Sequence, residues 1–365
     1  MPTTPLTPPM PTRTTARGAD ARTTSGREPL CFCGNPVGLG ETAELRLRVG
    51  ESYTSEPVAV PITVVRGGPG PTLFVTATVH GDELNGVGIL RGLLNDTDFS
   101  GLRGTLIAVP VVNVPGFLVQ DRRLPDRRDL NRSFPGSPKG SLTSRLADTL
   151  FREVIRQSDY GLDLHTGGGE RTNYPQIRAD LADPRVAELA DAFGIPMVVG
   201  GEGPEGSLRR VAVAAGVPTV VYEAGSARRL ERPFIEVGIA GILNVLRFLR
   251  MLPGEPAAPL LRLRIERTHW VRAQAGGILD LQVELGQPLR RGAPISLNTN
   301  PFGRGRSQLK SPYGGLVLGL TQLPLVHTGD PVCHIARLEA GELAAWESHW
   351  LGSPPKPPKP GPIQV

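Results

Sequence analysis

The chain has few lysines, aromatic residues and cysteines, and no long apolar run. No apolar run reaches the roughly 18 residues of a membrane span, and the best candidate, 237–246, is interrupted at Arg247 and predicts a buried helix. Only four of the forty basic residues are lysines, and aromatic residues make up 5% of the chain. Because no basic run is interleaved with aromatic residues, the pattern does not indicate a nucleic-acid interface. We therefore expect neither a membrane nor a nucleic acid as a partner.

Three cysteines cannot build a disulfide framework. Cys31 and Cys33 could hold a metal only with a partner cluster, and the sequence offers none near them. Residues 1–30 are rich in Thr, Pro and Arg and lack the apolar core of a secretory signal, which predicts a disordered tail and a cytoplasmic protein. A second tail, rich in proline, is predicted over residues 352–365.

Between the tails, the hydrophobic pattern divides the chain in two. Residues 31–252 alternate β-branched apolar runs with helical patterns, which predicts a mixed, mainly parallel sheet flanked by helices. A proline-rich linker follows, and frequent glycine and proline turn signals over residues 260–345 predict a smaller all-β domain. The polar segment from residue 113 to about 140 is predicted to be a loop. The predicted fold class is thus α/β with a C-terminal all-β domain.

Two histidines and a glutamate stand where apolar runs end. His80 ends one such run, Glu83 follows three residues later, and His165 ends a second run. In sheets with parallel strands, functional sites form at the carboxyl ends of the strands. Each residue alone could be a helix-capping acid or a core histidine, but together they form the three-ligand set of a catalytic zinc site. Asp82 and Asp163 are candidates to support the imidazoles.

A fourth polar residue, Glu223, also follows a run that should be buried. A carboxylate in that position needs an ion-pair partner or a chemical role. Facing a metal, it could accept a proton from water and return it to a leaving nitrogen; the alternative is a buried salt bridge to an arginine. The arginine-rich segment 122–136 would suit a substrate that carries carboxylates, or it is an ordinary solvated loop.

Together these motifs resemble the succinylglutamate desuccinylase/aspartoacylase family, which is related to the zinc carboxypeptidases. The resemblance covers roughly residues 30–345, and its motifs occur in the family's order. The motifs that carry it are His80-Gly-Asp-Glu83, Asp129-Leu-Asn-Arg-Ser-Phe-Pro-Gly136, Asp163-Leu-His165-Thr166 and Glu223 before Ala-Gly. It implies one Zn²⁺ per chain on His80, Glu83 and His165, with Glu223 as general base and then general acid.

The resemblance also implies how a substrate would be held. Asn131 and Arg132 are expected to bind its α-carboxylate. Arg123 resembles the family arginine that polarises the scissile carbonyl, with Arg122 and Arg127 as neighbouring alternatives, and Arg178 is assigned to a second substrate group. A small β-domain of the family can border the mouth of the site.

The sequence therefore favours a zinc-dependent hydrolase that cleaves the amide bond of a small N-acyl amino acid. The alternative is a zinc carboxypeptidase that trims C-terminal, possibly acidic, residues from peptides; a deep pocket would favour the first and an open groove the second. A non-catalytic binding protein on the same fold should have lost a ligand or the base, and neither is missing. The acyl group, the amino acid and the oligomeric state, including a homo-oligomer, stay open.

Overall fold

The computed structural model describes residues 30–32, 34–305 and 307–351. The two predicted tails therefore lie outside the described residues, apart from Leu30, and so does Cys33. Of the cysteines in the described part, Cys31 is exposed, Cys333 is buried, and both are free thiols. No helix in these ranges combines the length and apolarity needed to cross a bilayer.

One large mixed sheet organises the structure. In chain order the strands of the described part are β1 (Leu30–Phe32), β2 (Asn35–Val37), β3 (Glu41–Glu51), β4 (Pro57–Arg66), β5 (Gly68–Ala77), β6 (Arg103–Val109), β7 (Tyr160–Gly167), β8 (Arg171–Ala179), β9 (Met197–Gly200), β10 (Thr219–Ser226), β11 (Leu263–Ile265), β12 (Thr268–Arg272), β13 (Gly277–Leu281), β14 (Pro288–Leu289), β15 (Pro294–Thr299), β16 (Ser307–Lys310), β17 (Gly315–Thr321), β18 (Leu325–Val326) and β19 (Pro331–Arg337). The large sheet has a ten-strand path, β12-β19-β17-β8-β10-β7-β5-β6-β4-β3, and three further strands branch from it: β9 pairs with β8, β11 with β9, and β14 with β17. A four-stranded sheet, β16-β15-β13-β18, and the β1–β2 pair contain the other strands.

Parallel pairing is concentrated in the middle of this sheet. Strands β6, β5, β7 and β10 are parallel, whereas β4 and β8 flank them in antiparallel register. The predicted mixed α/β sheet is confirmed. The central strands are almost entirely buried, as their continuous apolar runs predict for strands covered on both faces.

Helices cover both faces of the sheet. In the described part they are α1 (Asn85–Asp96), α2 (Val114–Val119), α3 (Leu142–Glu153), α4 (Pro184–Ala192), α5 (Leu208–Ala214), α6 (Arg232–Phe248) and α7 (Ala340–Leu351). Successive residues of β5 point to opposite faces and contribute to two cores: Leu73 and Val75 pack with α1, α4 and α6, whereas Phe74 packs with α3 and α5. The N-cap of α3 is Ser141, and that of α4 is Asp183 followed by proline, as N-cap preferences predict.

The C-terminal part contains the predicted strands, and they belong to two sheets. Strands β13, β15, β16 and β18 form the four-stranded sheet, whereas β17 pairs with β8 and carries the large sheet onward through β19 and β12. This part also contains a helix that was not predicted, α7, whose Trp346 is fully buried. Strand β8 was not predicted, and α2 lies in a segment predicted to be a loop. The C-terminal strand β17 is therefore the neighbour of β8 in the large sheet.

Candidate metal centre and active-site cavity

A tight turn after β5 brings His80 and Glu83 together. The backbone N–H of Glu83 donates to the carbonyl of His80 at 3.1 Å. The turn packs so closely on α2 that a Cβ on Gly81 would lie 2.1 Å from the carbonyl carbon of Gly116. Only glycine fits there. Strand β7 lies beside β5 and delivers His165 to the same edge of the sheet.

His80, Glu83 and His165 form one buried group. The Nδ1 atoms of His80 and His165 each lie 2.8 Å from a different oxygen of the Glu83 carboxylate. One ligand atom from each of the three residues lies within 4.8 Å of the others, and all three side chains are buried. The three residues predicted to be metal ligands are thus brought together, with both imidazoles presenting the same nitrogen to the centre.

A carboxylate supports each imidazole from behind. Asp163 Oδ2 lies 2.8 Å from His165 Nε2, as predicted, and Asp129 Oδ1 lies 3.2 Å from His80 Nε2. Asp82, the other candidate for this role, is the wrong residue: it has no hydrogen bond to either imidazole, and its buried Oδ1 has no partner among the described residues. The turn directs Asp82 elsewhere, while Asp129 reaches His80 from the segment after α2.

Pairing of opposite charges shifts the pKa values of these side chains strongly. Burial lowers the pKa of His80 and His165, but the carboxylates outweigh it and raise both, that of His165 well above its ordinary value. Burial conversely raises the pKa of Glu83, yet the two histidines hold it well below its usual range. Burial likewise raises the pKa of Asp129, but His80 and Arg122 keep it low. A divalent cation among these ligand atoms would replace the protons on the two Nδ1 atoms.

The donor set fits zinc. Two imidazole nitrogens and one carboxylate are ligands that zinc prefers, and three protein ligands leave a position for water or substrate. Each imidazole has its second nitrogen fixed by a carboxylate, the arrangement that orients metal-bound histidines and raises their basicity. His80, Glu83 and His165 could therefore hold the ion without rearrangement of their supports.

Glu223 lies on β10, next to His165 in the register of the sheet. Both residues line a cavity of about 520 Å³ that also contains His80 and Glu83. The Glu223 carboxylate accepts a hydrogen bond from Asn173 Nδ2 at 2.7 Å and forms an ion pair with Arg178 Nε. Glu223 therefore has the arginine partner of the ion-pair interpretation and also lines the cavity that contains the metal group.

The arginine next to the metal group is Arg122 and not Arg123. Arg122 lines the cavity and donates to Glu83 Oε1 at 3.1 Å and to Asp129 Oδ2 at 3.2 Å. Gly168 makes room for it, because a Cβ there would lie 2.5 Å from Arg122 Nη1. Arg123 is exposed and does not line the cavity, and Arg127 is also exposed. Adjacent residues of this turn face different ways, which corrects the position assigned to Arg123.

The other predicted substrate residues lie at the cavity. Asn131, Arg132 and Arg178 all line it. Asn131 Oδ1 accepts from the Leu208 backbone N–H at 2.8 Å, which ties the Asn131 turn to the start of α5. The oxygen of this amide is thereby engaged, so its NH₂ group is the part suited to a carboxylate.

Two further arginines, which the sequence did not single out, line the cavity. Arg209 is buried on α5, and its Nη1 has no hydrogen-bond partner in the described part of the chain. Burial and the charge of Arg178 lower the pKa of Arg209 to about 10. Arg171 packs its guanidinium 5.2 Å from the centre of the Trp270 ring. Arg209 lies in the first turn of α5, and its sequence neighbours form no motif that would have identified it as a cavity residue.

Comparison with known proteins agrees with the motifs. The model of the succinylglutamate desuccinylase/aspartoacylase catalytic domain matches residues 69–249. N-alpha-acetyl-L-2,4-diaminobutyric acid deacetylase from Halomonas elongata is 34% identical over 296 residues, which cover 77% of this chain and 86% of that protein.

Solved structures show the same fold over most of the chain. A succinylglutamate desuccinylase/aspartoacylase from Rhodobacter sphaeroides matches with a TM-score of 0.76 and 25% identity, covering 86% of this chain and 99% of that one. The product-bound ectoine utilization protein EutE (DoeB) from Ruegeria pomeroyi matches with a TM-score of 0.75 and 26% identity, over 86% and 100% of the two chains.

Proposed function

This chain belongs to the succinylglutamate desuccinylase/aspartoacylase family, and on that premise we propose that it is a zinc-dependent hydrolase that cleaves the amide bond of a small N-acyl amino acid. The observation that carries the proposal is the placement of Glu223 in one cavity with His80, Glu83 and His165. The cavity volume of about 520 Å³ suits a small molecule. The relative from Halomonas elongata is named for such a deacylation.

His80, Glu83 and His165 would hold the zinc ion. The chemistry that zinc supplies in such a site is Lewis acidity towards a carbonyl oxygen and a water molecule. Glu223 accepts the proton of the attacking water at its carboxylate and returns it to the departing amide nitrogen. A carboxylate has about four acceptor positions, so Asn173 and Arg178 leave capacity for this proton.

Arg122 takes the role that the family resemblance had assigned to Arg123. Three of its five N–H groups are used by Glu83 and Asp129, which fixes the guanidinium beside the metal group. The remaining N–H groups are available to the charge that develops on the carbonyl oxygen, and donors held in place before the reaction stabilise such charge best.

The arginines of the cavity support a substrate that carries carboxylate. Arg122 and Arg178 are paired with acidic residues, whereas Arg132, Arg171 and Arg209 have no ion pair within the described residues. We assign Asn131 and Arg132 to the α-carboxylate, with Arg178 and Arg209 near a second group of the substrate. Guanidinium groups bind carboxylates at two points, so they also fix orientation.

Free-amine release by the zinc-loaded protein tests this proposal. The panel contains N-acetyl-2,4-diaminobutyrate, N-acetylaspartate, N-succinylglutamate and peptides with acidic C-termini, each with a chelator-treated control. Chelator-sensitive release from the small amides is the expected result. Release only from peptide ends would replace the deacylase with a carboxypeptidase, and no release from any small amide or peptide would contradict a hydrolase of this substrate class.

Glu223→Ala tests the general base separately. We expect it to retain zinc and to lose at least about a hundredfold in kcat, the usual contribution of such a group. Glu236→Ala, on the exposed face of α6, is the control and should keep full activity. Near-normal turnover of Glu223→Ala would remove the carboxylate from the mechanism.

A further inference from the structure

Two side chains hold the Glu223 carboxylate, and only one of them is charged. Arg178 pairs with Oε2, and the Asn173 amide donates to Oε1 at 2.7 Å. Asn173 is 5% exposed. An amide keeps its N–H donors whatever the charge of its partner, so this hydrogen bond survives when Glu223 gains a proton during turnover.

Asn173 lies on β8 between two glycines of neighbouring strands. It is opposite Gly225 of β10 on one side and Gly319 of β17 on the other. The pairing of β10 with β8 shifts between Glu223 and Gly225, so the catalytic carboxylate stands where the register is irregular. An irregularity of this kind can redirect a side chain, and Asn173 and Arg178 are the side chains that hold the Glu223 carboxylate in its direction.

The C-terminal strand β17 leaves the space that the Asn173 amide occupies. A Cβ on Gly319 would lie 2.6 Å from Asn173 Oδ1, closer than any ordinary contact. Its other neighbours, the Thr172 carbonyl oxygen at 3.3 Å and His334 Cβ at 3.5 Å, are less restrictive. A side chain at position 319 would therefore press first on the Asn173 amide.

We propose that Asn173 is a positioning residue for Glu223, and that Gly319 keeps the Asn173 amide directed at the Glu223 carboxylate. The C-terminal strands thus support the reaction although none of their described residues lines the cavity. This inference rests on the proposed function, because it assigns Glu223 as the group that moves the proton.

Two substitutions at position 173 separate positioning from packing. Asn173→Ala should lower kcat about 10- to 100-fold, since small misplacements of a reacting group cost about a hundredfold, while KM changes less than about threefold. Asn173→Asp keeps the shape but places a carboxylate against Glu223, and we expect a larger loss than for alanine. A packing role predicts the reverse order. Both variants should bind zinc as the wild type does, because Asn173 does not touch the ligands.

Gly319→Ala tests the second half of the proposal. Alone, it should reproduce the kcat loss of Asn173→Ala. Combined with Asn173→Ala, it should add less than about twofold, because the truncated residue no longer meets the new Cβ; such non-additivity is the signature of direct coupling. Gly276→Ala, where the nearest atom to the new Cβ is 3.4 Å away, is the matched control and should keep wild-type kcat.

The outcomes distinguish this inference from the proposed function. An active wild type together with normal kcat in both position-173 variants overturns the positioning role and leaves the hydrolase intact. Additive losses for the double variant overturn the role of Gly319. A wild type that releases no amine from the panel removes the proposed function, and this inference with it. Circular dichroism and zinc content show that each variant is folded.

Discussion

The two sides of the cavity balance their charges differently. On the metal side, which we define as His80, Glu83, His165 and the supports Asp129 and Asp163, every imidazole nitrogen faces a carboxylate. On the arginine side, which comprises Arg132, Arg171, Arg178 and Arg209, only Arg178 has an ion pair within the described residues. The metal side balances its charges within itself, whereas the arginine side carries positive charge that a ligand could pair.

Two histidines, His165 on the metal side and His334 near the arginine side, show the same contrast in their pKa values. Carboxylates raise the pKa of His165 against the effect of burial. His334 lies behind the arginine side, stacked on Trp270 with ring centres 4.6 Å apart, and burial together with Arg178 and Arg171 lowers its pKa to about 3. An imidazole is thus favoured in its protonated form among the carboxylates of one side and in its neutral form beside the arginines of the other.

Glu83→Gln should produce the largest effect, because it removes the charge that both imidazoles face. Zinc affinity should fall by more than the about 10- to 100-fold that loss of a supporting residue costs, and activity should fall with it. Competition with a chromophoric chelator measures the affinity. Glu231→Gln, a hydrogen-bonded carboxylate that does not line the cavity, is the control and should bind zinc normally. Wild-type affinity in Glu83→Gln would place the zinc elsewhere.

Arg209→Met should affect the substrate and leave the fold intact. A hydrogen bond to a charged group is worth about 1.5–3 kcal/mol, so KM should rise about 10- to 100-fold with zinc content unchanged. The free energy of unfolding should stay the same or increase, because the substitution removes a buried guanidinium whose Nη1 has no partner among the described residues. Arg210→Met, the neighbouring exposed residue, is the matched control. A less stable protein with unchanged KM would make Arg209 structural.

The two sides of the cavity also differ in how much of each could be predicted from the sequence. The grouping of His80, Glu83 and His165 was predictable because each follows an apolar run whose strand character is local, and strand ends of a parallel sheet meet at one edge. Their supports were predictable only in part: Asp163 is two residues from its histidine, whereas Asp129 reaches His80 from 49 residues away. A support supplied by a distant segment leaves no local signal.

The arginine side depends on structure that sequence does not show. Strand β8 contains Pro175 and mostly polar residues, so its strand character comes from its neighbours β10 and β17. Arg122 and Arg123 are adjacent, and only the path of the turn decides which one faces the cavity. Neither Asn173 nor Gly319 belongs to a recognisable motif, because their relation is a contact between two strands distant in sequence.

His334→Phe should have the smallest effect, visible only as a change in the pH dependence of stability. Because the pKa of His334 is lowered to about 3 from an ordinary 6.5, the unfolded chain takes up this proton first as pH falls. The imidazole's contribution to stability is therefore complete above pH 6.5 and is lost as pH falls towards about 3, by at most about 1.4 kcal/mol per pH unit.

Phenylalanine keeps a ring against Trp270 but cannot titrate, so the variant should lose less stability than the wild type between pH 6.5 and 5.5. Denaturant unfolding at the two pH values measures the difference, and His327→Gln, at an exposed position, should leave the wild-type slope unchanged. If the free energy of unfolding changed equally with pH in His334→Phe and in the wild type, His334 would accept its proton in the folded state. The arginine side would then tolerate a further cation, and the contrast between the two sides would rest on their side-chain contacts alone.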